Sequence, residues 1–231
     1  MDISCLPKEL MILIIGFLLR EQRVRTILAF YAHARYFIDG IESERAMEDK
    51  AMARYIDDSQ VQMEVIPYVE GEFNFSLPLR IIAAVGIDYK RGVRIVAGYE
   101  PESATFIFGV DENSRSFAIL TADNKNAKIF SPESIIEDHH IIDPTDACSV
   151  LRLLSDRRYS DSRYQNIMIP AGSKPHALAF CVHSVAGAEI PIVCGIPENV
   201  INVTAQPSGR YTLYQIQDVS SISLVRGNLR P

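Results

Sequence analysis

Residues 166–185 read NIMIPAGSKPHALAFCVHSV, and the parsing of this stretch decides the fold. Asn166–Ile169 and Ala177–Val185 read as two short apolar strands. Between them, Ala171-Gly172-Ser173-Lys174-Pro175 carries the glycine and proline of a hairpin turn. It lacks the spacing of a phosphate loop, and the strand expected after Pro175 would leave no helix N-terminus to hold a phosphate.

The same punctuation extends in both directions. Upstream, candidate strands are Phe73–Leu77, Arg80–Val85, Val93–Ala97, Ala104–Val110, Ser116–Thr121 and Lys128–Phe130. Downstream they are Ile190–Cys194, Val200–Thr204, Tyr211–Ile216 and Ser221–Val225. Gly, Pro, Asn or Asp separate them, the pattern of a mostly antiparallel sandwich or barrel. One helix is expected inside it. Asp143-Pro144-Thr145-Asp146 supplies a cap, a proline and first-turn acids before Ala147–Leu154.

The start of the chain has a different character. Ser4 can cap and Pro7 can open a helix that runs through the apolar Leu10–Leu19. Val24, Ile27, Leu28, Tyr31 and Ala32 then recur at helical spacing up to Asp39-Gly40. A third helix is expected over residues 43–56, from the spacing of Ala46, Met47, Ala51, Met52 and Tyr55. The expected fold class is therefore α+β: a three-helix module over residues 1–58, then a β-rich domain over residues 60–231.

Bulk properties narrow the function. The chain has 231 residues and a formal charge of −6. Its basic residues are scattered, which argues against nucleic-acid binding. Leu10–Leu19 is too short to span a bilayer, and its flanks lack the charge and cleavage pattern of a signal peptide. Cys5, Cys148, Cys181 and Cys194 form no CxxC pair, so reduced thiols in a cytoplasmic or nuclear protein are expected, with no membrane association. Without a secretory signal, the glycosylation triplets at Asn74 and Asn202 carry no weight.

No constellation reads as catalytic. His139 and His140 are adjacent, so a strand would point them to opposite faces. Cys181 and His183 would share a strand face, but their surroundings are apolar and a buried thiol is inert. Gly86, Gly92, Gly98 and Gly109 match no dinucleotide fingerprint, and no hydrolase, zincin or kinase signature is present. No enzyme activity, metal or cofactor is expected.

One motif carries a resemblance. Leu6, Pro7, Glu9, Leu10, Ile14, Ile15, Gly16, Phe17 and Leu18 fall without a gap in the register of an F-box opening. This N-terminal segment, residues 6–40, resembles the F-box family. It departs from that family at Leu19-Arg20-Glu21-Gln22-Arg23 and at Arg35-Tyr36-Phe37. The resemblance implies a non-enzymatic substrate receptor of a cullin-type ubiquitin ligase. A Skp-family adaptor would dock on Leu6, Pro7, Leu10, Ile14, Ile15, Leu18, Ile27, Leu28 and Tyr31 and bridge to the cullin, while the β-rich domain binds a protein target. The alternative is a structural or assembly protein, viral sources included, whose apolar N-terminal helices self-associate or pack on their own β domain.

Overall fold

The computed structural model describes residues 1–21, 23–37, 61–86, 89–109, 136–156, 159, 161–197, 204–217 and 223–229. In chain order the elements are α1 (Lys8–Arg20), β1 (Thr26–Phe37), β2 (Val61–Val65), β3 (Leu79–Val85), α2 (Tyr89–Ala97) and β4 (Ser103–Gly109). Then follow β5 (Ile136–Ile142), α3 (Ala147–Leu154), β6 (Gln165–Pro170), α4 (Lys174–His183), β7 (Val193–Pro197), β8 (Thr204–Gln217) and β9 (Ser223–Leu229).

LRIIAAV in β3 and SATFIFG in β4 are apolar at consecutive positions rather than alternate ones, and nearly every residue in both is buried. Such runs belong to strands covered on both faces, the condition under which parallel sheets occur. β3 pairs in parallel with β4 and with β6, and β4 pairs in parallel with β5. The order is β5-β4-β3-β6. The mixture of helix and sheet is as expected, but the central sheet is parallel, not part of an antiparallel sandwich or barrel. A lone apolar run cannot reveal which way its neighbours point.

Helices cover the two faces. Ile81, Ala83, Val85, Phe106, Phe108, Ile167 and Ile169 form one core with Val96 of α2. Ile82, Ala84, Ile107 and Met168 form the other, with residues of α1, α3 and α4. From β3 the chain winds outward to β4 and β5, then returns to place β6 on the opposite side of β3. The fold is thus doubly wound, with its switch point between β3 and β6.

Four expected elements are corrected. Phe73–Leu77 is not a strand: it runs into a turn in which the Leu77 N–H donates to the Asn74 carbonyl at 3.1 Å. Val93–Ala97 belongs to helix α2, and Ala177–Val185 lies in α4 and the turn after it. The second expected helix is strand β1, paired antiparallel with β8, which also pairs with β9. Ile27 and Ala29 are buried while Leu28 is exposed, a two-residue period. Of the first two helices expected at the N-terminal end, the described residues show only α1. Residues 43–56, Ser116–Thr121 and Lys128–Phe130 lie outside the described residues.

α1 is integrated into the remainder of the chain. Met11, Ile12, Ile15 and Leu19 join the core that holds α3 and α4. Gly16 lets the helix lie against the chain near Val69, whose Cγ1 would stand 3.2 Å from a Cβ there. The separate two-stranded β2–β7 ribbon meets β6 at an isolated parallel bridge, where the Met168 N–H donates to the Pro191 carbonyl at 2.9 Å.

Candidate functional site

The carboxyl ends of β3 and β6 lie side by side, and the connections leave them toward opposite faces through α2 and α4. In open α/β sheets this is where ligands bind. Glycines make the approach possible. A Cβ on Gly172 would sit 3.1 Å from the Val85 nitrogen and 3.2 Å from the Ala84 carbonyl carbon, so only glycine lets this turn press on the end of β3. Across from it, a Cβ on Gly86 would meet the Gly172 Cα at 3.6 Å, an ordinary contact.

Ser173 then caps α4. Its Oγ accepts from the His176 backbone N–H at 3.3 Å and donates to the Pro144 carbonyl at 2.5 Å, tying the end of β6 to the loop after β5. Lys8 of α1 donates to the Gly172 carbonyl at 2.8 Å, and Lys174 donates to the Ser4 carbonyl. Two half-buried ammonium groups thus flank the turn, and burial lowers the pKa of Lys174. The positive end of the α4 dipole adds to them.

His176 occupies the first turn of α4 and is fully buried. Its Nε2 lies 2.9 Å from the Asp143 carbonyl oxygen. A carbonyl only accepts, so Nε2 carries the proton and Nδ1 presents a bare lone pair. Among the described residues Nδ1 has no hydrogen-bond partner. Burial pushes the ring's pKa down to about 4, so it is neutral at neutral pH. A Cβ on Gly109, the last residue of β4, would stand only 3.2 Å from Nδ1. An unsatisfied buried acceptor costs about 1–3 kcal/mol.

The residues singled out from sequence lie elsewhere. Cys181 and His183 are on a helix, where residues two apart point away from each other. The Cys181 Sγ rests 3.6 Å from the Ile12 carbonyl, and burial raises its pKa strongly. Cys194 is pushed up to about 12 by the same cause. On β5, the His140 Nε2 lies 3.2 Å from Asp138 Oδ2 and 3.1 Å from the Tyr159 hydroxyl. His140 borders an open groove of about 360 Å³ between β5 and α3, which Ser149, Arg152 and Asp156 also line. Among the described residues, no group of three or more His, Cys, Asp or Glu could hold a metal ion, and no helix is long and apolar enough to cross a membrane.

Of the residues expected to meet an adaptor, Pro7, Leu10 and Leu28 are exposed, and Leu6, Ile14, Leu18 and Tyr31 are half-buried. Ile15 and Ile27 are buried in this chain's own core. Sequence reading missed Lys8, Gly172, Ser173, Lys174 and His176 as a group. The available signal was Ser173 followed by Pro175 after an apolar strand, which marks the start of a helix as readily as a turn.

A doubly wound α/β protein with a glycine-lined, lysine-flanked switch point is the class that fold and site define. No protein-family model matches the chain, and no curated protein or solved structure matches it.

Proposed function

We propose that this protein binds a small anionic ligand at the carboxyl edge of its parallel sheet. The observation that carries the reading is the placement of Gly86 and Gly172 at the two strand ends of the switch point, with Lys8 and Lys174 beside the α4 N-terminus. Backbone that approaches closely, a helix N-terminus and flanking cations form a combination suited to phosphate or carboxylate. The test is calorimetric titration of the full chain with phosphorylated and carboxylated small molecules, repeated with Gly86→Ala. That methyl group meets only an ordinary contact, so the fold should survive while the crevice narrows. Expected is saturable binding that weakens in the variant; no binding by any anion would remove the reading.

A second reading rests on the outer face of α1. Leu10 and Phe17 are 41% and 45% exposed, and Pro7 and Ile14 lie on the same side. Such a stripe suits docking of the helix into a partner's apolar groove. The F-box resemblance would make that partner a Skp-family adaptor, leading to a cullin-type ligase and a protein target. Co-precipitation with purified adaptor, comparing wild type with the Pro7→Ala, Leu10→Ala double variant, tests it. Loss of capture in a folded variant supports docking, and no capture by wild type ends this reading.

A further inference from the structure

Arg152 is exposed on α3, and among the described residues no hydrogen bond or ion pair holds its guanidinium. It lines the open groove of about 360 Å³ between α3 and β5, the outermost described strand of the parallel sheet. The other polar side chains of that groove are acceptors. The Ser149 hydroxyl donates its proton to Asp146 Oδ2 at 2.7 Å, which leaves its oxygen lone pairs. On His140, Nε2 stands 3.2 Å from the Asp138 carboxylate, which only accepts, so in the neutral ring Nε2 carries the proton and Nδ1 is bare. The Tyr159 hydroxyl, 3.1 Å from the same Nε2, also holds the ring in place. The His140 side chain stays 25% exposed. Asp156 adds a carboxylate, and the half-buried Ile142 and Leu153 add aliphatic surface.

A planar cation, three acceptors and an aliphatic lining ask for complementary groups in one small molecule. A guanidinium pairs best with a carboxylate, through two parallel hydrogen bonds. Three acceptors match the three N–H bonds of an ammonium. A groove of this volume lies in the range of small-molecule sites. A simple anion would use Arg152 alone and meet repulsion from Asp156, and a simple amine would meet the reverse. We infer that this groove binds an aliphatic α-amino acid. Its carboxylate pairs with Arg152, its ammonium donates to His140 Nδ1, Ser149 Oγ and Asp156, and its side chain lies on Ile142 and Leu153. The site is at the β5 edge of the sheet, away from the β3–β6 switch point, and stands independently of the anion reading.

The test titrates the full chain with leucine, with isocaproate, which lacks the ammonium, and with isoamylamine, which lacks the carboxylate. Calorimetry measures affinity, and the ring resonances of His140 report where the ligand sits. Expected is saturation by leucine at millimolar concentration with a shift of those resonances. Each analogue should bind at least about tenfold more weakly, the worth of one charge-assisted hydrogen bond. Arg152→Gln should weaken leucine by at least the same factor, and because the residue is exposed the variant should fold. Gly86→Ala should leave leucine binding unchanged, which separates this groove from the switch point. Either analogue binding as tightly as leucine overturns the amino-acid assignment. Leucine binding that survives Arg152→Gln, or that leaves His140 unmoved, overturns the site, and so does no saturation at all.

Discussion

The Nε2–H of His176 meets the carbonyl oxygen of Asp143 at 2.9 Å, joining the first turn of α4 to the residue that follows β5. That bond selects the tautomer and leaves the other ring nitrogen as a buried acceptor.

Acid should destabilise the protein in a defined window. Burial holds His176 and His183 down to about 4, against 6.5 for an exposed ring. Between these values the unfolded chain binds protons that the native state refuses. The stabilisation is therefore complete above pH 6.5 and is lost as the pH falls toward 4, by about 3 kcal/mol per ring. Urea midpoints measured at pH 7.5, 5.5 and 4 should fall in that order; a flat series would show that neither ring is buried neutral.

The Ser173 hydroxyl holds both the α4 cap and the Pro144 loop. Ser173→Ala should cost about 1–2 kcal/mol and lower the melting temperature by a few degrees, at roughly 2–4 °C per kcal/mol for a chain of this size. Calorimetry on the two proteins measures it directly.

The two sides of α1 should respond differently to truncation. Ile15 is fully buried and Leu10 is 41% exposed. Ile15→Ala should cost about 2–5 kcal/mol, whereas Leu10→Ala should stay within roughly 0.5 kcal/mol. Equal small losses in denaturant unfolding would mean that α1 contributes little to the core.

Thiol chemistry should sort the cysteines. Cys5 is exposed, while Cys181 and Cys194 are buried with raised pKa values. A chromogenic disulfide reagent at pH 8 should label Cys5 promptly and Cys181 and Cys194 only after unfolding. Prompt labelling of Cys181 would contradict the packing of α4 against α1, and prompt labelling of Cys194 would contradict the burial of β7.

Sequence alone located β3, β4, β6 and α3, because their apolar runs and caps are local signals. It did not reveal strand direction, which depends on partners far along the chain. KPHALAFCVH of α4 is apolar all round, so it has no 3.6-residue stripe to separate it from a buried strand. In β1, Ile27, Leu28 and Tyr31 satisfy a helical spacing, yet pairing with β8 prevails over that local preference. Reading α4 as a strand also hid the candidate site, since Ser173, Lys174 and His176 become neighbours only at a helix start. His139, His140, Cys181 and His183 attracted notice as residue types, and the fold brings none of them to the switch point.

The pairing of β1 with β8 also bears on how the chain is made. Phe30 lies opposite Leu213, about 180 residues later. At a synthesis rate of about 5–20 residues per second, β1 leaves the ribosome some tens of seconds before the strand that pairs with it. Through that interval a segment reading ILAFYAHARYF has no partner strand, which makes it a natural place for a chaperone to hold the nascent protein.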